Sequence, residues 1–219
     1  MAALGGGNRK RPGPQQKGRR MISIDPARLN EPADFDAKCR QKGLQWLAAH
    51  PKAARKGNKR PKAFWSAFKP QLSDAFCELC AYGAMYEPVG TVDHFIPVDA
   101  DETRAYDWDN YRFASAWINS SKQKAVTVLD PLLVQNGWFE VLLPSLQLVV
   151  TDQVPNHLRA LAEETLNRLH LRDDERVLRQ RRRWYRLFRE GKLDLNGLRE
   201  NAPLIAAAID KQNAAAVQP

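Results

Sequence analysis

The pattern of apolar and polar positions changes period several times along the chain, and each change predicts an element. Phe35, Cys39, Leu44, Trp46 and Leu47 recur at near-helical spacing and Pro51 supplies a stop, which predicts a helix over 33–50. After a basic loop, "RKGNKRPK", the stretch "AFWSAFKPQLSDAF" reads as a short helix that buries its aromatics. "CELCAYGAMYEPVG" holds too many turn residues for a long element. "TVDHFIP" and "NYRFAS" are strand-like and flank an acidic loop, "VDADETRAYDWD"; from Ala116 alternation is lost and "AWINSSKQK" opens a helix. Two apolar, β-branched runs around Pro144 predict a hairpin or edge strands.

The last third is helical. One helix starts near Pro155, a second is capped by Asp173 or Asp174 and ends at Gly191, and a third runs from about Leu198 to Asp210. The predicted class is α+β, a small two-stranded unit embedded among helices. Residues 1–21 are rich in Gly, Pro, Gln, Lys and Arg with little to bury, and are expected to be a disordered tail. Residues 22–150 then form the main domain, 151–213 a helical region and 214–219 a frayed end.

No apolar run approaches the roughly 20 residues of a membrane span, and the N-terminus lacks the apolar middle of a secretory signal. Cytoplasm is the default location. Three cysteines, of which only Cys77 and Cys80 are close, do not make a disulfide framework.

Charge adds a partner class. The formal net charge is +9, and it is blocked: residues 1–21 hold six Lys or Arg and no acid, and residues 51–70 hold seven and no acid. A third block, Arg176 to Lys192, concentrates arginine around Trp184, Tyr185 and Phe188. Three separated basic blocks suit a polyanion, most simply nucleic acid held by its backbone with little sequence preference, although basic faces are also often plain solvated surface.

Chemistry concentrates in "VDHFIP". It sets Asp93 and His94 side by side, and strand alternation sends neighbours to opposite faces of one rigid element. Asn110 follows His94 by 16 residues, in "WDNYRFA"; Asn119 follows by 9 more, in "NSSK", which ends at Lys122. An imidazole with a reference pKa near ~6.5 is a suitable base, and carboxylate and carboxamide oxygens suit a hard cation. His50, His157 and His170 have no ligand spacing, and Trp108, Tyr111, Phe113 and Trp117 are expected to pack the small core.

Over about residues 77–124 this pattern resembles the HNH family, the ββα-metal or His-Me finger nucleases, and is similar to the HNH domain of the RNA-guided CRISPR nuclease. The resemblance implies a metal-dependent endonuclease that hydrolyses DNA, cutting one strand per active site and therefore nicking. It implies His94 as general base, Asp93 and Asn119 as ligands of Mg²⁺ or Mn²⁺, and Asn110 as the residue that pins the loop near the base. Lys122, with Lys124 and Arg112, is expected to meet substrate phosphate. Stand-alone bacterial proteins of this kind are often effectors of phage defence with protein partners. In zinc-bearing relatives a second Cys pair completes a structural site with a pair like Cys77 and Cys80; here those positions are Ser115 and Ile118, so structural Zn²⁺ is the less expected outcome. The rival expectations are a non-catalytic nucleic-acid-binding module and an HNH-type ribonuclease.

Overall fold

A computed structural model describes residues 26–51 and 60–216. The expected disordered tail, most of the basic loop and the last three residues lie outside the described residues. The class is α+β: among the described residues, seven α-helices surround two antiparallel two-stranded sheets.

The first sheet pairs β1 (Thr91–His94) with β2 (Tyr111–Ala114), in a register that sets Asp93 opposite Arg112 and His94 opposite Tyr111. Helix α3 (Ala116–Lys122) follows β2 at once and packs on β1, completing a ββα unit. Every residue of β2 is buried, because the hairpin is covered on both faces. One cover is α3. The other is an aromatic layer in which the rings of Phe35, Trp65 and Trp108 lie 5.9, 6.4 and 6.0 Å from that of Tyr111.

Phe35 and Trp65 come from the helical segments before the hairpin. A π-helical turn, Asp36–Arg40, leads into α1 (Gln41–Ala49), and a 3₁₀ turn, Phe64–Phe68, leads into α2 (Lys69–Ala75). The π turn changes which residue of the apolar series faces inward. Its wider winding rotates the following residues relative to a regular 3.6-residue pattern, so Leu44 is 48 % exposed and Gly43 is the residue turned inward. A Cβ on Gly43 would stand 2.3 Å from the Tyr106 ring, so only glycine lets the helix approach that closely.

The predicted hairpin around Pro144 is present as β3 (Phe139–Leu142) and β4 (Gln147–Val150). Helices α4 (Asn156–Arg168) and α5 (Glu175–Arg189) follow, the second capped by Asp174 Oδ1, which accepts from the Arg176 amide. The single helix expected over 198–210 is two, α6 (Leu195–Asn201) and α7 (Pro203–Ala216). Pro203 is the cause: it disfavours helical backbone at the residue before it, and Ala202 has φ −152° and ψ 65°. Helix α7 also continues beyond the expected start of the frayed end.

The C-terminal helices share one continuous hydrophobic core with the ββα unit. Arg181 of α5 ties them together: it is 1 % exposed and donates to the carbonyls of Leu146, Leu171 and Arg172 at 2.8–3.1 Å. Burial away from any carboxylate pulls its pKa down to about 10. No helix among the described residues is long and apolar enough to cross a membrane.

Candidate active site

The two residues that end β1 point to different faces of the hairpin, as strand geometry requires. His94 lies in the aromatic layer, its ring edge-on to Trp65 at 4.6 Å and to Tyr111 at 5.1 Å. Asp93 faces α3.

The imidazole is oriented by one hydrogen bond. His94 Nε2 lies 2.9 Å from the carbonyl oxygen of Ala105, which also accepts from Tyr111 Oη at 2.8 Å. A carbonyl oxygen can only accept, so Nε2 carries the proton and Nδ1 keeps the lone pair. Among the described residues nothing hydrogen-bonds Nδ1. Burial of the ring lowers the His94 pKa, and the positive charges of Lys122 and Arg60 act the same way, against the Ala105 bond and Asp93. His94 is therefore a half-buried, neutral imidazole with a single basic nitrogen.

Asn110 occupies the place expected for a scaffold. It is 2 % exposed; Oδ1 accepts from the Ile96 amide at 2.8 Å, and Nδ2 donates to the carbonyls of Ile96 and Arg104 at 3.1 and 3.0 Å. With the Phe95 amide donating to the Asn110 carbonyl at 2.8 Å, residues 95 and 96 are pinned from the loop side.

Lys122 pins residues 94 and 95 from the helix side. Its ammonium donates to Asp93 Oδ1 at 3.0 Å, to the His94 carbonyl at 2.7 Å and to the Phe95 carbonyl at 3.0 Å, which uses all three of its protons. The side chain is 0 % exposed, so the expected phosphate contact is closed to it. Arg112 is closed in the same way: it is 4 % exposed, holds Asp130 through two bonds of 2.8 and 2.6 Å and donates to two carbonyls. Lys124 alone of the three expected phosphate contacts is exposed, at 69 %, in a surface pair with Asp99.

Of the oxygen pair expected for Mg²⁺ or Mn²⁺, the carboxamide oxygen is open and the carboxylate is enclosed. Asn119 donates through Nδ2 to Thr91 Oγ1 at 2.9 Å, and among the described residues nothing donates to its Oδ1. Asp93 is different. It is 2 % exposed, Lys122 holds one carboxylate oxygen and Tyr82 Oη donates to the other at 2.6 Å. A hard dication needs an open oxygen at about 2.0–2.1 Å with room for water, and this carboxylate faces an ammonium and a phenol instead. Among the described residues no group of three or more His, Cys, Asp or Glu is placed to hold a metal ion.

Among the described residues no third or fourth ligand stands beside the cysteines to complete a zinc site. Cys80 Sγ accepts from the amides of Gly83 and Ser115, each at 3.4 Å, and lies 3.8 Å from Ser115 Oγ; burial pushes its thiol pKa up. Cys77 is exposed and takes a hydrogen bond from Arg28. A Cβ on Gly83 would stand 3.3 Å from Ile118 Cδ1 and 3.6 Å from Cys80 Sγ, so an isoleucine shares the volume beside the sulfur. Two thiols without further ligands among the described residues are an incomplete donor set for tetrahedral zinc.

Several residues that build the site carry no sequence signal of it. Tyr82, Trp65, Asp130 and the Ala105 carbonyl act through contacts 11 to 29 positions away or through the main chain. His157 and His170 are exposed, and His50 stacks on Trp46 at 4.5 Å. No family model matches the chain, and no curated protein matches it.

Proposed function

We propose that the chain is an HNH-type endonuclease that hydrolyses DNA phosphodiesters, with His94 Nδ1 taking the proton of the attacking water. The observation that carries this is the His94–Ala105 bond within a ββα unit: it leaves one lone-pair nitrogen, on a ring fixed by its neighbours and neutral near pH 7. Asn110 and Lys122 hold the backbone on which that ring sits. One base serves one strand, so a single site nicks. The divalent ion that the resemblance implies lacks an open carboxylate here, and no step is assigned to it.

The DNA is held by its backbone. Arg179, Arg182, Arg183 and Arg186 are exposed at i, i+3, i+4 and i+7 of α5 and line a groove whose other wall is Pro144 and Leu146 of the β3–β4 turn. Their acidic neighbours are exposed: Glu175 lies 3.0 Å from Arg182 and 3.9 Å from Arg179, and Glu190 lies 4.0 Å from Arg186. Such pairs are weak and exchange readily for phosphate. Arg176 lies 4.7 Å over the ring of Trp117, which places the start of this face against the helix that carries Asn119. The proposed setting is the cytoplasm, the default where no membrane span or secretory signal is read, and by the same resemblance the role is in phage defence with protein partners.

The test is relaxation of supercoiled plasmid with Mg²⁺ or Mn²⁺ by the natural chain and by His94→Ala. Loss of nicking with duplex binding retained is expected; equal relaxation by both proteins overturns the assignment. Structured RNA in the same assay distinguishes a ribonuclease. The enclosure of Asp93 favours a second reading, a nucleic-acid-binding module that keeps the ββα shell without catalysis, and binding with no nicking in any metal would support it.

A further inference from the structure

The buried ion pair between Asp93 and Lys122 does more than fill a core. Lys122 is the last residue of α3, where a cation also meets the negative end of the helix. The next residue, Gln123, has φ 50° and ψ −117°, a conformation that glycine adopts freely and a side chain with a Cβ only at a cost. The helix is therefore stopped at a local cost at the point that delivers the ammonium to three oxygens: one carboxylate and two carbonyls, all within 3.0 Å. Three oxygen ligands around one buried positive charge are a cation site whose cation is covalently attached. Tyr82 Oη takes the remaining carboxylate oxygen, so the site is closed on both sides.

We propose that Lys122 is the resident cation of Asp93 and keeps divalent ions off it, so that Asp93 binds such an ion only once the ammonium is removed. This rests on the ββα site reading, because it concerns the residue that the resemblance casts as a metal ligand. A dication brought to Asp93 would sit beside an ammonium in a buried setting, where solvent screens the repulsion little. While the pair is intact, Asp93 and Lys122 act as positioning residues for the backbone of His94 and Phe95.

The experiment is a titration with Mn²⁺ alone, without DNA, followed by electron paramagnetic resonance. Asp93→Asn is expected to leave the Mn²⁺ affinity of the chain within about twofold, and Lys122→Met to raise it by at least about tenfold, a gain that the double variant Asp93→Asn/Lys122→Met loses. The proposal is overturned if Asp93→Asn alone weakens Mn²⁺ binding tenfold or more, or if Lys122→Met binds no tighter than the natural chain. Circular dichroism establishes that each variant is folded. Should the substitutions unfold the chain, the natural protein still decides: the ¹⁵N ammonium signal of Lys122, identified by its loss in Lys122→Arg, is expected to persist in millimolar Mg²⁺, and its disappearance overturns the proposal. Absence of nicking would remove the nuclease reading and leave these measurements standing.

Discussion

The side chain of Asn110 grips the main chain of Ile96 as a neighbouring strand would, accepting from its amide at 2.8 Å and donating to its carbonyl at 3.1 Å. A third bond, to the Arg104 carbonyl, ties the same turn to the preceding loop. Asn110→Ala removes all three in a buried setting and is expected to cost about 2–4 kcal/mol. Asn110→Asp should cost at least as much, because it turns a donor facing two carbonyls into an acceptor. Urea unfolding midpoints of the two variants check the order, and the plasmid assay should show a matching loss of nicking.

The pH dependence follows from the buried imidazole. Burial holds the His94 pKa below its ordinary 6.5, so the ring is neutral, and able to take a proton, through the whole range above that value. The acid limb of the nicking rate is expected below pH 6.5, with a flat rate from there to neutrality. Stability moves in the same sense. The unfolded chain binds this proton more readily than the folded one, so the contribution of His94 is fully present above its unfolded pKa and is lost as pH falls through the folded value. A limb centred above 6.5 would count against His94 as the base.

The arginines of α5 divide into two kinds. Replacing Arg179, Arg183 and Arg186 by Ala should weaken duplex binding uniformly across sequences and lower the magnitude of the salt slope by about 2–3, at roughly one phosphate contact each. Arg181→Met should leave the slope unchanged, because that guanidinium is enclosed, and should cost about 2–4 kcal/mol of stability through the carbonyls it abandons. Fluorescence anisotropy over a salt series, on the His94→Ala background, separates the two.

Gly43 sets helix propensity against packing. In an exposed helix Gly→Ala is worth roughly +1 kcal/mol, but here the new methyl would lie 2.3–2.4 Å from three carbons of the Tyr106 ring. The clash is with a fully buried aromatic, so Gly43→Ala is expected to be destabilising by about 1–3 kcal/mol, measured by thermal or urea unfolding.

Much of the scaffold is legible in the sequence because its signals are local. Alternation marks β1 and β2, loss of alternation at Ala116 marks α3, and the break between two apolar runs at Pro144 marks the second hairpin. Leu44 misleads because a π turn upstream shifts the phase of the helix, which no apolar count reveals. The break at Ala202 is signalled by Pro203, but the apolar run around it reads as one continuous helix. In the candidate site, Asn110 lies where a loop-pinning residue is expected, and His94 lies at the end of its strand. Lys122 shows the limit of spacing arguments. Its position three residues after Asn119 fixes the helix face, but not that the face is buried or that Asp93, 29 residues earlier, waits there for it. Arg112 likewise looks available until Asp130, 18 residues on, folds back against it.

The turn around Cys80 has a practical consequence. Ile118 and Cys80 are 2 % and 4 % exposed and lie on either side of Gly83, so buried hydrocarbon fills the turn where zinc-bearing HNH proteins use a clasp that chelators can open. EDTA should therefore leave the scaffold folded, and whatever turnover it abolishes will report on ions at the reaction centre, not on collapse of the framework around it.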